Sequence, residues 1–217
     1  MNDPTVIPDN WNFIDKQIVD NFEIHVVQQL PWYELATDII THLGEHYLPR
    51  NGCILDIGCA TGNITRALEY VITQRNCDAI SIDNSAEMIK AFNGIGTCTL
   101  ADISDPKYRV PKSDFIISFL TLMFIPVDLR RQVIERILDS LRPGGAFVFF
   151  EKFVPPNGYL STVFARLTWK QKLKSGVSYE NISRKELSLS GYQRPLDFPS
   201  LCLHDRAVEI FRFGDFA

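Results

Sequence analysis

The sequence predicts an α/β fold: a doubly wound, mostly parallel sheet in one domain of 217 residues. Three observations carry that reading. Segments rich in Ile, Val and Phe alternate with amphipathic helical segments between Cys53 and Phe153. Several of those strands are almost continuously apolar, as expected when both faces of a sheet are covered. Strands joined through helices also imply right-handed crossovers and parallel pairing.

Taken in order, residues Asp15 to about Tyr47 follow a helical pattern interrupted at Pro31, forming an N-terminal helical cap over about 11–48. Cys53–Ile57 reads as the first strand. "NITRALEYVIT" follows as a helix, "DAISID" as a strand, and "SAEMIKAF" as a helix capped by Ser85, with Glu87 in its first turn and Met88 just inside it. "GTCTLAD" is a short strand, "SDFIISFL" a buried one, "PVDLRRQVIERILDSL" an amphipathic helix, "RPGG" a turn and "AFVFFEKF" a fifth strand. Beyond Glu151 the alternation ends. "GYLSTVFARLTWKQKLKSG" and "NISRKELSLSG" predict two helices in an insert over about 157–190, and "AVEIFRFG" predicts a last strand with only "GDFA" left for a further arm.

Composition narrows the classes. With 46% hydrophobic residues the chain can bury one sizeable core, which excludes disordered and fibrous proteins. No apolar run reaches the roughly 18 residues of a membrane span, and "MNDPTVIPDNWNF" lacks the parts of a signal peptide, so a cytoplasmic protein without a membrane span is expected. The net charge of −4 disfavours broad nonspecific binding to nucleic acid. Five cysteines without a CxxC pair read as reduced, partly buried thiols. The four histidines, including the pair His42 and His46, show no metal-ligand spacing and read as surface residues; no metal is expected.

The chemistry concentrates in "ILDIGCATGN", residues 54–63. In open α/β sheets ligands bind beyond the carboxyl ends of the strands, and this is the first such turn. The dinucleotide pattern GxGxxG fails, because Ala60 and Asn63 stand where its second and third glycines would be; no GK[ST] follows for a P-loop. Gly58 and Gly62 allow a tight turn against a nucleoside, and the amides at the helix start can meet a carboxylate. Asp83 ends the second strand 21 residues after Gly62 (83 − 62), near the roughly 20 at which an acidic side chain reaches ribose hydroxyls. Asp102 ends the third strand. Each aspartate alone could be a cap or turn residue; three at successive strand ends, with Asp56 the first, point to one ligand.

The pattern D-x-G-x-A-x-G resembles the first motif of class I S-adenosylmethionine (SAM)-dependent methyltransferases, whose fold is Rossmann-like. "WNFID", "LPWY", "NCDAISIDNSAEMI", "FLTLMF" and "LRPGGAFVFFEKF" resemble, more narrowly, the carboxy-S-adenosylmethionine synthase group of that superfamily, from about Trp11 to Phe153. The resemblance implies SAM as cofactor, S-adenosylhomocysteine as product and a homodimer. It implies that Tyr33 reaches over the cofactor, that Gly58, Cys59 and Ala60 line it, that Asp83 and Asn84 hold the ribose, and that Asp102 and Ile103 bracket the adenine.

Carboxy-SAM synthases of this type move a carboxylate from prephenate to SAM, making a cofactor used on wobble uridine in transfer RNA. That reaction needs groups for the added carboxylate, which is costly to bury unpaired. The resemblance implies an asparagine after the fourth strand and an arginine in the later helix; Phe119 and Glu186 stand there instead, although Arg184 and Lys185 adjoin Glu186. Ordinary SAM and methyl transfer to a small molecule or a nucleic-acid base is therefore the first reading, carboxy-SAM synthesis the second, and a non-catalytic partner subunit the third. The acceptor is expected near Phe119 to Leu122, beneath the N-terminal helices and the insert, with Glu151 or Tyr179 as the proton acceptor. Arg166, Lys170, Lys172 and Lys174 around Trp169 could hold RNA, but read more simply as a solvated helix face.

Overall fold

The computed structural model describes residues 7–155 and 157–197. The N-terminal cap holds three helices: α1 (Lys16–Asp20), α2 (Phe22–Gln29) and α3 (Tyr33–Tyr47). Asp15 starts the first by accepting from the amide of Gln17 at 2.9 Å. β1 (Cys53–Ile57), β2 (Asp78–Asp83), β3 (Thr97–Leu100), β4 (Ser113–Phe119) and β5 (Leu141–Phe150) form one sheet in the order β3-β2-β1-β4-β5, with every pairing parallel.

The expected crossovers fill the gaps. α4 (Asn63–Ala67) and α5 (Glu69–Arg75) join β1 to β2, α6 (Ala86–Ala91) joins β2 to β3, and α7 (Val127–Ser140) joins β4 to β5. The single helix expected after β1 is divided at Leu68, whose backbone (φ −90°, ψ 5°) leaves helical geometry. Ser85 caps α6 through the amide of Met88, as its sequence indicated. The "RPGG" turn is folded into the start of β5: Ser113 faces Leu141, but Phe115 faces Ala146, so the intervening residues bulge out of register.

Strand alternation sends the core to both faces. On one, Ile54, Phe115 and Ile117 pack under Trp32, Ala36 and Ile40 of the cap and under Ile64 and Ile72. On the other, Leu55, Ile57 and Ile116 pack against Val133, Ile134 and Ile137 of α7. After β5 come α8 (Gly158–Lys174) and α9 (Tyr179–Ser188). The chain then returns to the sheet edge, where Leu196 bridges Phe153, and the buried Arg130 binds the carbonyls of Ile125, Met123, Arg194 and Pro195.

The expected strand "AVEIFRFG" and the "GDFA" end lie outside the described residues, as does Cys202. The remaining cysteines are free and buried or half-buried. No helix among the described residues is long and apolar enough to cross a membrane. β1 and β4 lie side by side at the centre, and the strand order reverses there. The loops after them therefore diverge to opposite faces and open the crevice in which such sheets bind ligands.

Candidate active site

The turn after β1 is held from below. The amides of Gly58 and Cys59 both donate to the carbonyl of Ile82, at 2.8 and 3.0 Å, and the amide of Gly62 closes the turn on Cys59. Gly58 has φ +71°, and a Cβ there would lie 2.2 Å from Oγ1 of Thr121; only glycine lets the loops after β1 and β4 interlock. Gly62 has φ +91° and packs behind the turn, where a Cβ would strike Gly94, so its role is to shape the loop and not to line the cavity. Ala60 adopts φ +46°, and its amide donates to Oδ2 of Asp83 at 2.9 Å. That bond supports a left-handed residue that bears a Cβ, so the missing glycine does not open the turn.

The aspartates converge on the same cavity. Asp83 also accepts from the amide of Ser85 at 2.8 Å. Each carboxylate oxygen has two acceptor positions, so capacity remains for a vicinal diol. Burial pushes its pKa up, against the opposing effect of the Ser85, Ala60 and Asn84 amides. Asp102 is exposed and uses one oxygen for the amide and hydroxyl of Ser104, leaving the other oxygen for a ligand; Ile103 beside it is buried, as is Met88. Asp56 is 1% exposed, and its Oδ2 has no hydrogen-bond partner among the described residues. Burial first, then the charge of Asp83, pushes its pKa up to about 7.

Above this floor, Tyr33 stacks on Phe119 with centroids 4.8 Å apart and planes at 13°. Burial, followed by the nearby charge of Asp56, raises the Tyr33 phenol well above its ordinary value, so it stays protonated. Tyr33, Asp56, Gly58, Cys59, Ala60, Asp83, Asn84, Met88, Asp102, Ile103 and Phe119 all line one cavity, as expected of a shared ligand. The cap is pinned over it by Glu23, which accepts from Arg66 at 2.6 Å and Thr61 at 3.2 Å.

Both expected proton acceptors lie elsewhere. Glu151 is 0% exposed, and its carboxylate accepts from the amides of Thr121, Leu122 and Met123 and from the hydroxyl of Ser118. It fastens the end of β5 to the loop after β4 and does not line the cavity. Its place just after a strand end carried the signature of a functional residue, but the amides of Thr121, Leu122 and Met123, at the start of the single-turn 3-10 helix Leu122–Phe124, consume it. Tyr179 begins α9, is 66% exposed and also lies away from the cavity.

Conversely, residues that read as surface form the far wall. His25 is buried, stacked on Trp11 at 5.2 Å and in contact with Nζ of Lys185, which itself lies 4.1 Å from the Trp11 ring centroid. Lys172, expected on a solvated helix face, is 6% exposed and sits 3.3 Å from Glu186. Arg166, Lys170 and Lys174 are exposed as expected, and so are His42 and His46. Burial would raise the Glu186 carboxyl, but Lys172 and Lys152 outweigh it and hold the group below the usual carboxylate range. The signal that could have found the wall is the heptad-like return of Lys172 and Trp169 on one face of α8, invisible without knowing which face turns inward.

A buried carboxylate oxygen without a partner suits the cationic methionine end of SAM. The glycine cradle admits its backbone-close portion, and Asp83 and Asp102 suit its diol and adenine amino group. The residues present therefore fit this cofactor.

Comparison with known proteins agrees. A family model described as a methyltransferase domain matches residues 54–145. Carboxy-S-adenosyl-L-methionine synthase from Staphylococcus epidermidis is 30% identical over 215 residues, covering 96% of this chain and 91% of that protein. The protein of the same name from Colwellia psychrerythraea is 28% identical over 187 residues, covering 83% and 76%. Among solved structures, an O-methyltransferase family protein from Burkholderia thailandensis superposes with a TM-score of 0.63 over 93% of this chain and 58% of that chain, at 15% identity. The plantazolicin methyltransferase BpumL, in complex with S-adenosylhomocysteine, superposes with a TM-score of 0.57 over 87% and 68%, at 20% identity. These structures establish the fold, and the full-length relative establishes the family: the chain belongs to the class I SAM-dependent methyltransferase superfamily, within its carboxy-S-adenosyl-L-methionine synthase group, and its cofactor is SAM.

Proposed function

We propose that the protein transfers the methyl group of SAM to a small organic acceptor. The observation that carries this reading is the pair Phe119 and Glu186 on the cavity wall. The resemblance implies an asparagine and an arginine at these two places, where they would receive an added carboxylate. Phe119 instead stacks on Tyr33 and offers no hydrogen bond, and Glu186 is held ionised by Lys172. A carboxylated cofactor would meet a like charge there, screened in part by solvent because the Glu186 side chain is 41% exposed. SAM carries no such group at its sulfonium.

When bound, SAM supplies an already activated methyl on a cationic sulfur. The chain's own residues then bind, orient and exclude water. Asp83 and Asp102 fix the nucleoside, Asp56 faces the cationic end, and Tyr33, Phe119, Trp11 and Trp169 shut the far side. An O–H or N–H acceptor gives up a proton as its new bond to carbon forms and the carbon–sulfur bond breaks. His25 and Glu186 are groups on the wall able to take that proton. The deep, aromatic wall, with Lys172 buried in it, favours a small molecule over RNA.

The second reading, carboxy-SAM synthesis, is supported by Lys152, Lys172 and Lys185 on the same wall, which could hold a carboxylate despite Glu186, and by the names of the relatives. Mass spectrometry of the ligand released from purified protein, followed by incubation with SAM and prephenate, separates the two. SAM or S-adenosylhomocysteine alone supports methyl transfer. A product heavier by one carboxylate overturns it.

A further inference from the structure

The turn that carries the cofactor also holds a thiol whose partner lies two strands away. Cys59, 6% exposed, lines the cavity between Gly58 and Ala60. Its Sγ is 3.6 Å from Sγ of Cys98, on β3, which is half-buried and lies outside the cavity. Cys98 stands opposite Ser81 in the sheet, so the two sulfurs meet across the end of β2, beside the carbonyl of Ile82 that anchors the turn. A disulfide requires about 2 Å between sulfurs, so closing the 3.6 Å gap draws the Cys59 turn and β3 together.

We propose that Cys59 and Cys98 form a reversible disulfide under a peroxide oxidant, and that this bond weakens cofactor binding. The second half rests on SAM as the cofactor but not on what is methylated. Cys98 is the entry point because it is the more accessible sulfur, and the Cys59 thiol beside it offsets part of the effect of burial on its thiolate. Burial raises both thiols, and the carboxylates of Asp56 and Asp83 add to it, so the pair resists casual oxidation. In the first step the Cys98 sulfur attacks one peroxide oxygen, giving a sulfenic acid and water. In the second, the Cys59 sulfur displaces the hydroxyl from the Cys98 sulfur, forming the S–S bond and a second water. Two thiols have then been oxidised by one peroxide.

The consequence follows from what Cys59 is tied to. Its carbonyl closes the turn with Gly62, and its neighbour Ala60 donates to Asp83, the carboxylate placed for the ribose. Drawing Sγ of Cys59 toward β3 displaces that neighbourhood from the arrangement that fits SAM. By linkage, a cofactor disfavoured by the disulfide must in turn disfavour it, so saturating SAM protects the pair.

The test uses the full chain. Reduced protein is treated with hydrogen peroxide, remaining thiols are alkylated, and a non-reducing peptide map is read by mass spectrometry; SAM affinity is measured by calorimetry before oxidation, after it and after dithiothreitol. The expected result is a peptide cross-linked between Cys59 and Cys98, a loss of about tenfold in affinity, restoration by the reductant, and slower cross-linking with SAM present. Cys98→Ser, which leaves the cavity lining intact, is expected to bind SAM as the wild type does and to be indifferent to peroxide. Cross-linking to Cys202 instead, oxidation of Cys98 without a cross-link, or unchanged affinity of the cross-linked protein would each overturn the proposal. The map reads the pairing without any cofactor, so a failure of the thiol chemistry is distinguishable from a failure of SAM binding.

Discussion

Asp56 gives the sharpest prediction, because its burial and its function oppose each other. With a pKa near 7, about half of the molecules carry an ionised Asp56 at pH 7 and about one in eleven at pH 6. The cationic end of SAM favours the ionised form. Affinity is therefore expected to fall about fivefold from pH 7 to pH 6 and about tenfold more to pH 5, with protons released on binding near neutrality. Asp56→Asn removes the charge and the slope, and lowers the plateau affinity by roughly 10- to 150-fold, the worth of a hydrogen bond to a charged group. Stability moves the other way. A carboxyl raised from 3.8 in the unfolded chain to about 7 when folded contributes stability that is fully present below pH 3.8 and is lost as the pH rises through 7. The loss is on the order of 4 kcal/mol, so the asparagine variant without ligand is expected to melt higher than wild type at pH 8. Calorimetry at pH 5, 6 and 7 in two buffers, with thermal unfolding at pH 8, reads both effects. Affinity that ignores pH, or an asparagine variant that melts lower at pH 8, would refute the assignment of Asp56 as an unpartnered anion awaiting a cation.

Other consequences are as specific. Gly58→Ala would set a methyl 2.2 Å from Oγ1 of Thr121 at φ +71°, and is expected to lose several kcal/mol of stability by chemical denaturation, together with SAM binding. Asp83→Ala strands the amides of Ala60 and Ser85 and is expected to lower SAM affinity by more than about tenfold. Glu151→Ala is expected to cost about 3–5 kcal/mol by stranding buried amides, and Glu151→Gln less, because Oε1 alone accepts from Ser118, Thr121 and Leu122; turnover per folded molecule should not change with glutamine, as it would for a proton acceptor. Glu186→Arg is expected to shift binding toward the carboxylated cofactor in a competition measurement, and an unchanged preference would remove Glu186 from specificity.

What the sequence disclosed and what it concealed divide along a physical line. The parallel sheet was legible because β1 and β4 are apolar on both faces, a pattern that survives in one dimension. The floor of the cavity was legible because Asp56, Asp83 and Asp102 occupy strand ends, and strand ends on one side of a parallel sheet are neighbours by construction. The far wall was not. Whether His25 faces inward depends on how the cap docks, and the weak amphipathicity of α8 hides that Lys172 is buried while Lys170 and Lys174 are not. Glu151 misled for a related reason: its position after β5 is that of a site residue, and only the three amides of the loop after β4 reveal that its charge is spent on the scaffold.

Those same contacts tie the floor of the cavity together across several elements. Thr121 occupies the space that Gly58 vacates and donates to the carbonyl of Ile57; Glu151 then holds the amide of Thr121. Asp83 joins the turn after β1 to the start of α6. The ends of β1, β2, β4 and β5 are thus linked through side chains on different elements, and moving one moves the others. The wall of the cap, α8 and α9 is joined by ion pairs and ring contacts such as Lys172 with Glu186 and Lys185 with Trp11. A substitution there changes charge without breaking the contacts of the floor. At the two places where the resemblance implies an asparagine and an arginine, Phe119 and Glu186 line the cavity, and the proposed preference for a methyl group rests on them.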